Sequence, residues 1–397
     1  MSALSKIKVV ECGDFISAAY CTKLLSEFGA EVDKIEPLEG DSLRRHGPFP
    51  NDIEDIESSG LFIYLNNGKR SIAADIQTNQ GQLVVHRLLS KADVFVTNHP
   101  LQLRQSLGLD AATLKGRYPN LIIVSISVFG DTGPYALEPS QTIDAYAVSG
   151  TAWVIGEPDR APLSIPFFQA DYQAGAHAAS AITMALIGRD NAIKSNLSNQ
   201  SLGASIDISS ADIFAVASGT NGLIYLCYGL QKWVRAGRRA FASGGPYPYV
   251  ILPCKDGAVC LIGRARQEWQ RLIKAMGEPA WTQLERYQDL HAMGKDYPQE
   301  VDALITPWLM QFTRVELLGM AEKHGFPIGP LRRMEEVVVS DQLKHRQFFR
   351  KIKLPKHGFI QVPGVAWKIE GKKNEFEDSH LFPVAPQLGE HTHTVKV

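Results

Sequence analysis

The chain has no excess charge of either sign. Its 41 Lys and Arg stand against 42 Asp and Glu, a formal net charge of −1. A nucleic-acid or anionic-membrane partner calls for a basic surplus, so neither is expected. Cysteine is sparse: Cys12, Cys21, Cys227, Cys254 and Cys260 are scattered and lack CxxC spacing. This argues against a disulfide framework and points to reduced thiols in the cytosol. No apolar run reaches membrane-spanning length. The opening MSALSKIKVVECG has no long apolar segment, so no secretory leader is expected. No GxGxxG follows the first strand, and neither a phosphate-binding GxxxxGK[ST] loop nor a GxSxG elbow occurs. His391 and His393 form an HxH pair without neighbouring Cys or further His, so no metal is expected.

What is present is an alternating pattern. IKVVEC reads as a strand, AAYCTKLLSEFG as a helix stopped by Gly29, and AEVDKIE as a second strand. The βαβ theme recurs. RSIAADI and DVFVTNH are strand-like around a helical QGQLVVHRLLSKA, and NLIIVSISVF follows the helical LDAATLKGRY, with Asp110 at its N-cap. The fold class is therefore α/β, with a large doubly wound domain over residues 1–200. GRDNAIKSNLSNQSLGAS, residues 188–205, reads as a polar, flexible connection. Residues 201–224 read as a linker and 225–325 as a smaller α+β domain, with 326–397 returning to the large one. VILPCKDGAVCLIG reads as a hairpin turning at Lys255, Asp256 and Gly257.

Within SIPFFQADYQAGAHAASAITMALIG a single acid, Asp171, stands at the mouth of a Gly- and Ala-rich helix. Its structural reading is a helix N-cap. Its functional reading is a carboxylate nucleophile, kept ionised by the helix end. SVFGDTGPYA makes a tight loop at a strand's carboxyl end, either an ordinary turn or a ligand loop. Gly244 and Gly245 form a flexible turn or an N–H pair facing an oxyanion. Lys232, Arg235, Arg238 and Arg239 cluster without nearby acids, as a solvated face or as a phosphate or partner contact. Tyr146, Trp153, Phe167 and Phe168 are either core or lining of an acyl pocket.

Taken in order, GAEVDKIEPLEGDSLR, NNGKRSIAADIQTNQGQ, ADVFVTN, YPNLIIVSISVFGDTGPYA, ADYQAG, CKDGAVCLIG and APQLGEHT resemble the class III CoA-transferases. That family includes formyl-CoA and carnitine-CoA transferases and the α-methylacyl-CoA racemases. The resemblance implies a ring-shaped chain forming an interlocked homodimer, with coenzyme A as co-substrate. It places the catalytic aspartate at Asp171. It places CoA contacts at Ile16 and Ser17, at Ala74, Asp75, Ile76 and Gln77, and at Asn98, His99 and Pro100. Further contacts fall at Gln141, Thr142, Ile143 and Asp144, and a covering loop at Gly244 and Gly245. Pro37 and Ser106 stand where some members carry arginines, the second a phosphate-binding one, and Arg104 close by is the expected CoA contact in its place.

The implied reaction is acyl-CoA:carboxylate CoA transfer through an aspartyl anhydride and an aspartyl-CoA thioester. Transfer within one dicarboxylic acid is a variant of it. Racemases of the family use a His and a Glu where this chain has Ile143 and about Arg266. A 2-methylacyl-CoA racemase is thus the enzymatic alternative, and a non-catalytic CoA-binding protein the second.

Overall fold

The computed structural model describes residues 2–195, 201–217, 225–229, 235–239, 245–355, 357–368 and 383–395. The chain divides into two compact units: 1–148 with 166–214 and 341–397, and 149–165 with 215–340. Among the described residues no helix is long and apolar enough to cross a membrane.

The first unit is built on six parallel strands: β1 (Lys8–Cys12), β2 (Glu31–Glu36), β3 (Arg70–Ala73), β4 (Val94–Thr97), β5 (Ile122–Ser127) and β6 (Ala204–Ser209). Their order is β3-β2-β1-β4-β5-β6. Adjacent residues serve opposite faces, so both faces must be apolar. Val9, Val32, Val94 and Val124 pack on one side with α1 (Ser17–Glu27). Val10, Ile35, Phe95 and Ile123 pack on the other, with Val85 and Leu89 of a helix over Asn79–Leu89 and Leu114 of another over Ala111–Arg117. This is a doubly wound sheet whose order reverses between β1 and β4. Open sheets of this kind bind ligands beyond the strands' carboxyl ends at such a reversal.

The long helix Gln169–Lys194 crosses α1 closely, and Gly175 permits the approach. A Cβ at Gly175 would lie 2.6 Å from the Ser17 carbonyl oxygen and 3.0 Å from the Cys21 nitrogen. That helix runs through Lys194, into the stretch read as a polar connection. Within the expected linker, residues 204–209 form the edge strand β6 and Ser210–Ala217 a helix.

Beneath the carboxyl half of β1–β3 lies a buried ionic network. The Lys34 ammonium lies 2.6 Å from Glu11 and 2.6 Å from Asp41, and Lys69 lies 2.8 Å from Glu11. Arg44 makes a paired contact with Glu36, 2.7 and 2.9 Å, while Ser71 donates to the same carboxylate at 2.5 Å. All six charged side chains are fully buried. The C-terminal segment docks here: Arg44 donates to the Pro386 carbonyl at 3.1 Å, and the Gly389 amide donates to Ser71 Oγ at 2.9 Å.

The second unit has an antiparallel sheet, β7 (Tyr249–Cys254), β8 (Gly257–Ile262) and β9 (Ile328–Pro330), packed with helices around Trp269, Met293, Ile305 and Leu317. The hairpin turns at Lys255–Asp256 as expected. Residues 149–165 and 326–340 belong to this unit. The arginine cluster has an acid after all. Buried Asp302 accepts from Arg238 at 3.0 Å, from Arg239 and from the Tyr247 hydroxyl at 2.8 Å. Arg235 donates to the carbonyls of Trp153, Glu157 and Pro158. These three guanidiniums hold the unit together instead of forming an open anion site; Lys232 lies outside the described residues.

Candidate active site

Two helices of the first unit start with the same irregularity. Phe15, before α1, has φ 63°; Phe167 and Phe168, before the long helix, have φ 63° and 53°. Left-handed backbone is costly for aromatic residues and persists where surroundings enforce it. Here the rings meet. Phe15 and Phe168 stand edge to face at 5.0 Å, and His46 touches both, at 5.5 and 5.8 Å. Nothing in the sequence pattern announced this cluster.

Asp171 is the third residue of the long helix, which we label α3 after α1 and α2 (Thr142–Val148). It is not the N-cap: Phe168 takes that position and offers no side-chain cap. The Asp171 carboxylate instead accepts a hydrogen bond at Oδ2 from the Thr142 hydroxyl. Burial pushes the Asp171 carboxyl above its ordinary value, while the Thr142 hydroxyl and its own backbone N–H pull it back. In its ionised form a half-buried carboxylate is a competent nucleophile.

Three other sets of expected contacts sit at strand carboxyl ends. Ile16 and Ser17 follow β1, and both are buried, so Ile16 can offer a ligand only its backbone. Asn98, after β4, grips this turn. Its amide donates to the Asp14 carbonyl at 2.6 Å and Ser17 Oγ at 2.9 Å, and its Oδ1 accepts from the Asp14 amide at 2.9 Å. The structure thus brings Ser17 and Asn98 together across the sheet reversal. Ala74–Gln77 follow β3, with Asp75 and Thr78 closing the turn. Gly81 allows it, since a Cβ there would fall 1.8 Å from the Asp75 carbonyl oxygen. Burial holds the His99 imidazole below its usual value, and Pro100 opens the following short helix.

Arg104 is differently placed from what a phosphate contact requires. It is 2% exposed, its guanidinium engages both oxygens of Asp131, and its Nε donates to the His99 carbonyl. Asp131 lies in the loop after β5, and Ser125 donates to it as well, at 2.6 Å. The loop SVFGDTGPYA is accordingly a tie between β5 and the turn at His99.

Of the remaining expected contacts, the Gln141 backbone N–H donates to the Asp144 carboxylate at 2.7 Å, and Ile143 is 59% exposed. Gly245 belongs to the second unit, its carbonyl against Gly294, and Gly244 lies outside the described residues. Among the acyl-pocket candidates, Phe167 is exposed and Trp153 lies in the second unit. Tyr146 is buried and its hydroxyl accepts from the Ala170 amide at 2.8 Å, so it braces a helix. Among the described residues no group of three or more His, Cys, Asp or Glu is placed to hold a metal.

The chain matches the sequence profile of CoA-transferase family III over residues 4–392. It is 30% identical over 391 residues to a succinate–glutarate CoA-transferase of Agrobacterium fabrum, covering 98% of this chain and 93% of that protein. It is 28% identical over 401 residues to a succinyl-CoA–D-citramalate CoA-transferase of Chloroflexus aurantiacus, covering 99% and 92%. Among solved structures, a CAIB/BAIF family protein from Brucella suis aligns with a TM-score of 0.84 at 28% identity, covering 99% of this chain and 98% of that one.

Proposed function

The chain belongs to CoA-transferase family III and is an enzyme of that class, and on that premise we propose that it moves CoA from an acyl-CoA donor to a carboxylic acid through covalent intermediates on Asp171. The observation that carries this reading is the Asp171 carboxylate itself: half-buried, at the positive end of a long helix, held at one oxygen. Asp171 attacks the donor thioester and releases CoA thiolate, leaving an aspartyl–acyl anhydride. The thiolate then attacks the Asp171 carbonyl carbon, which frees the donor acid and leaves an aspartyl-CoA thioester. The acceptor carboxylate attacks that thioester, releasing thiolate again. Attack of thiolate on the acceptor's acyl carbon completes the new CoA ester and returns Asp171. Thioester energy is conserved throughout, so no ATP site is needed.

CoA is assigned to the strand carboxyl ends, against Ile16–Ser17, Ala74–Gln77 and Asn98–Pro100, with Gln141–Asp144 toward the thioester. Gly244 and Gly245 keep the covering role that the resemblance gives them. Arg104, committed to Asp131, is withdrawn as a phosphate contact. Dicarboxylic acids are the proposed substrates, in line with the succinate, glutarate and citramalate named for the two relatives. An aliphatic Ile143 and an always-protonated Arg266 cannot shuttle a proton at carbon, which favours transfer over racemisation. Incubation with paired acyl-CoAs and free dicarboxylates, read by mass spectrometry, should yield new CoA esters. Exchange of the α-proton of a 2-methylacyl-CoA with solvent, without any new ester, would replace this reading by the racemase.

We also propose a cytoplasmic homodimer of interlocked rings. Met184 and Ile187, one turn apart on the long helix, are 66% and 56% exposed, as suits a face covered by a second copy. Interlocking buries far more surface than a transient contact. Sedimentation should find a dimer that survives dilution, and a stable monomer at micromolar concentration would end the proposal.

A further inference from the structure

We propose that α2 sets the reactive geometry of Asp171: Thr142 holds Oδ2, leaves Oδ1 as the attacking oxygen, and then serves as the oxyanion donor when thiolate attacks the Asp171 carbonyl. The inference rests on the nucleophile assignment above. Thr142 and Tyr146 are four residues apart, so both face the same side of α2. Each grips the first turn of α3, Thr142 at the Asp171 carboxylate and Tyr146 at the Ala170 amide. That amide is among the donors a helix start leaves without an intrahelical partner, and Phe168 has no capping group to offer. The Tyr146 hydroxyl takes the place of a cap. Burial raises its phenol above the ordinary value, with the Ala170 and Gln169 amides pulling it back, so it stays protonated.

The consequence for chemistry follows atom by atom. A free carboxylate presents two equivalent oxygens. With Oδ2 engaged, the lone pair on Oδ1 is the one available to bond to the donor's acyl carbon, and the C–S bond breaks to give thiolate. Oδ2 is then the carbonyl oxygen of the anhydride. When thiolate adds to the Asp171 carbonyl carbon, the π electrons move onto Oδ2, and the Thr142 hydroxyl is already aimed at it. Collapse expels the donor carboxylate and restores the carbonyl. The return steps through the aspartyl-CoA thioester place charge on Oδ2 again. A donor fixed before charge develops is the arrangement that contributes most to such steps. Tyr146 touches no reacting atom and is a positioning residue.

The experiment compares Thr142→Val, Thr142→Ser and Tyr146→Phe with the parent enzyme, in steady state and in hydroxylamine trapping during turnover. Loss of one such donor costs about 10²- to 10³-fold in rate, so Thr142→Val should lose about that in kcat. Its acid limb should also move to higher pH, because the ionised carboxylate has lost a donor. Thr142→Ser should restore both the rate and the limb. Tyr146→Phe should lower kcat with KM for acyl-CoA unchanged. A Thr142→Val enzyme with the parental rate and acid limb overturns the inference. If Val at 142 prevents folding, Thr142→Ala carries the same comparison. Trapping keeps the two levels apart. An unlabelled Asp171 in the parent enzyme ends the nucleophile assignment, whereas a labelled Asp171 with an indifferent Thr142→Val ends only the role of α2.

Discussion

Asp171→Asn should eliminate CoA transfer while leaving acyl-CoA binding in place. Asn has the same shape, and its carbonyl can still accept from Thr142, but an amide is no nucleophile. Losing a covalent nucleophile costs roughly 10⁴- to 10⁶-fold in kcat. Stability should change little, because Phe168 and not Asp171 caps the helix. The pH dependence has a definite sign. The reactive form is the carboxylate, and burial raises its pKa. Activity should therefore begin to fall on acidification at a higher pH than an ordinary aspartate would give. Hydroxylamine should mark Asp171 in the parent and nothing at this position in the variant. A variant running at the parental rate, with no deamidation back to Asp, would leave the proposed chemistry without its nucleophile.

Glu11→Gln should be the most destabilising single change in the ionic network. Burial alone would raise the Glu11 carboxyl, but Lys34 and Lys69 overcome it and hold it at about 2. Removing the charge leaves two buried ammonium groups, with Asp41 the remaining carboxylate at Lys34. Breaking a buried pair in this way costs about 3–5 kcal/mol. The linkage is that of a depressed acid. Its contribution is complete above the unfolded carboxylate range near 4.5 and is lost as pH falls through about 2. The gap between parent and variant should therefore narrow across that window. Lys69, pushed down by burial to about 8 despite Glu11, should give up its proton still more readily in the variant. Urea denaturation at neutral pH reads the effect, and a loss below about 1 kcal/mol would mean that the network relaxes around the missing charge.

The sheet was legible where burial is two-sided. Strands β1, β4 and β5 carry buried apolar residues on both faces because helices cover both. Strand β6 was not, because it is an edge strand with alternate residues exposed, and ASIDIS resembles a polar connection. The last turns of the long helix were missed for a related reason: GRDNAIK faces solvent and has no apolar stripe to betray it. At the site, Asp171 was visible as an isolated acid, but its environment was not. Thr142 is 29 residues away in sequence, and the left-handed Phe168 displaced the expected cap. The charged motifs GAEVDKIEPLEGDSLR and NNGKR contain Lys34, Glu36, Asp41, Arg44 and Lys69, all buried. A period-based reading puts such residues on the surface because their partners are distant in the chain. Lys34 is 23 positions from Glu11 and Lys69 is 58. For Arg239 the hidden acid is 63 positions on.

The bond from Arg44 to the Pro386 carbonyl spans 342 residues of chain. During synthesis the amino-terminal strands leave the ribosome long before residue 386 exists. Throughout that interval the Arg44 guanidinium can be neutralised by Glu36 but lacks its last acceptor, and Ser71 lacks the Gly389 amide. The stretch around Pro386 and Gly389 is thus a latch: the nascent first unit reaches its full complement of internal bonds only after those residues have been made.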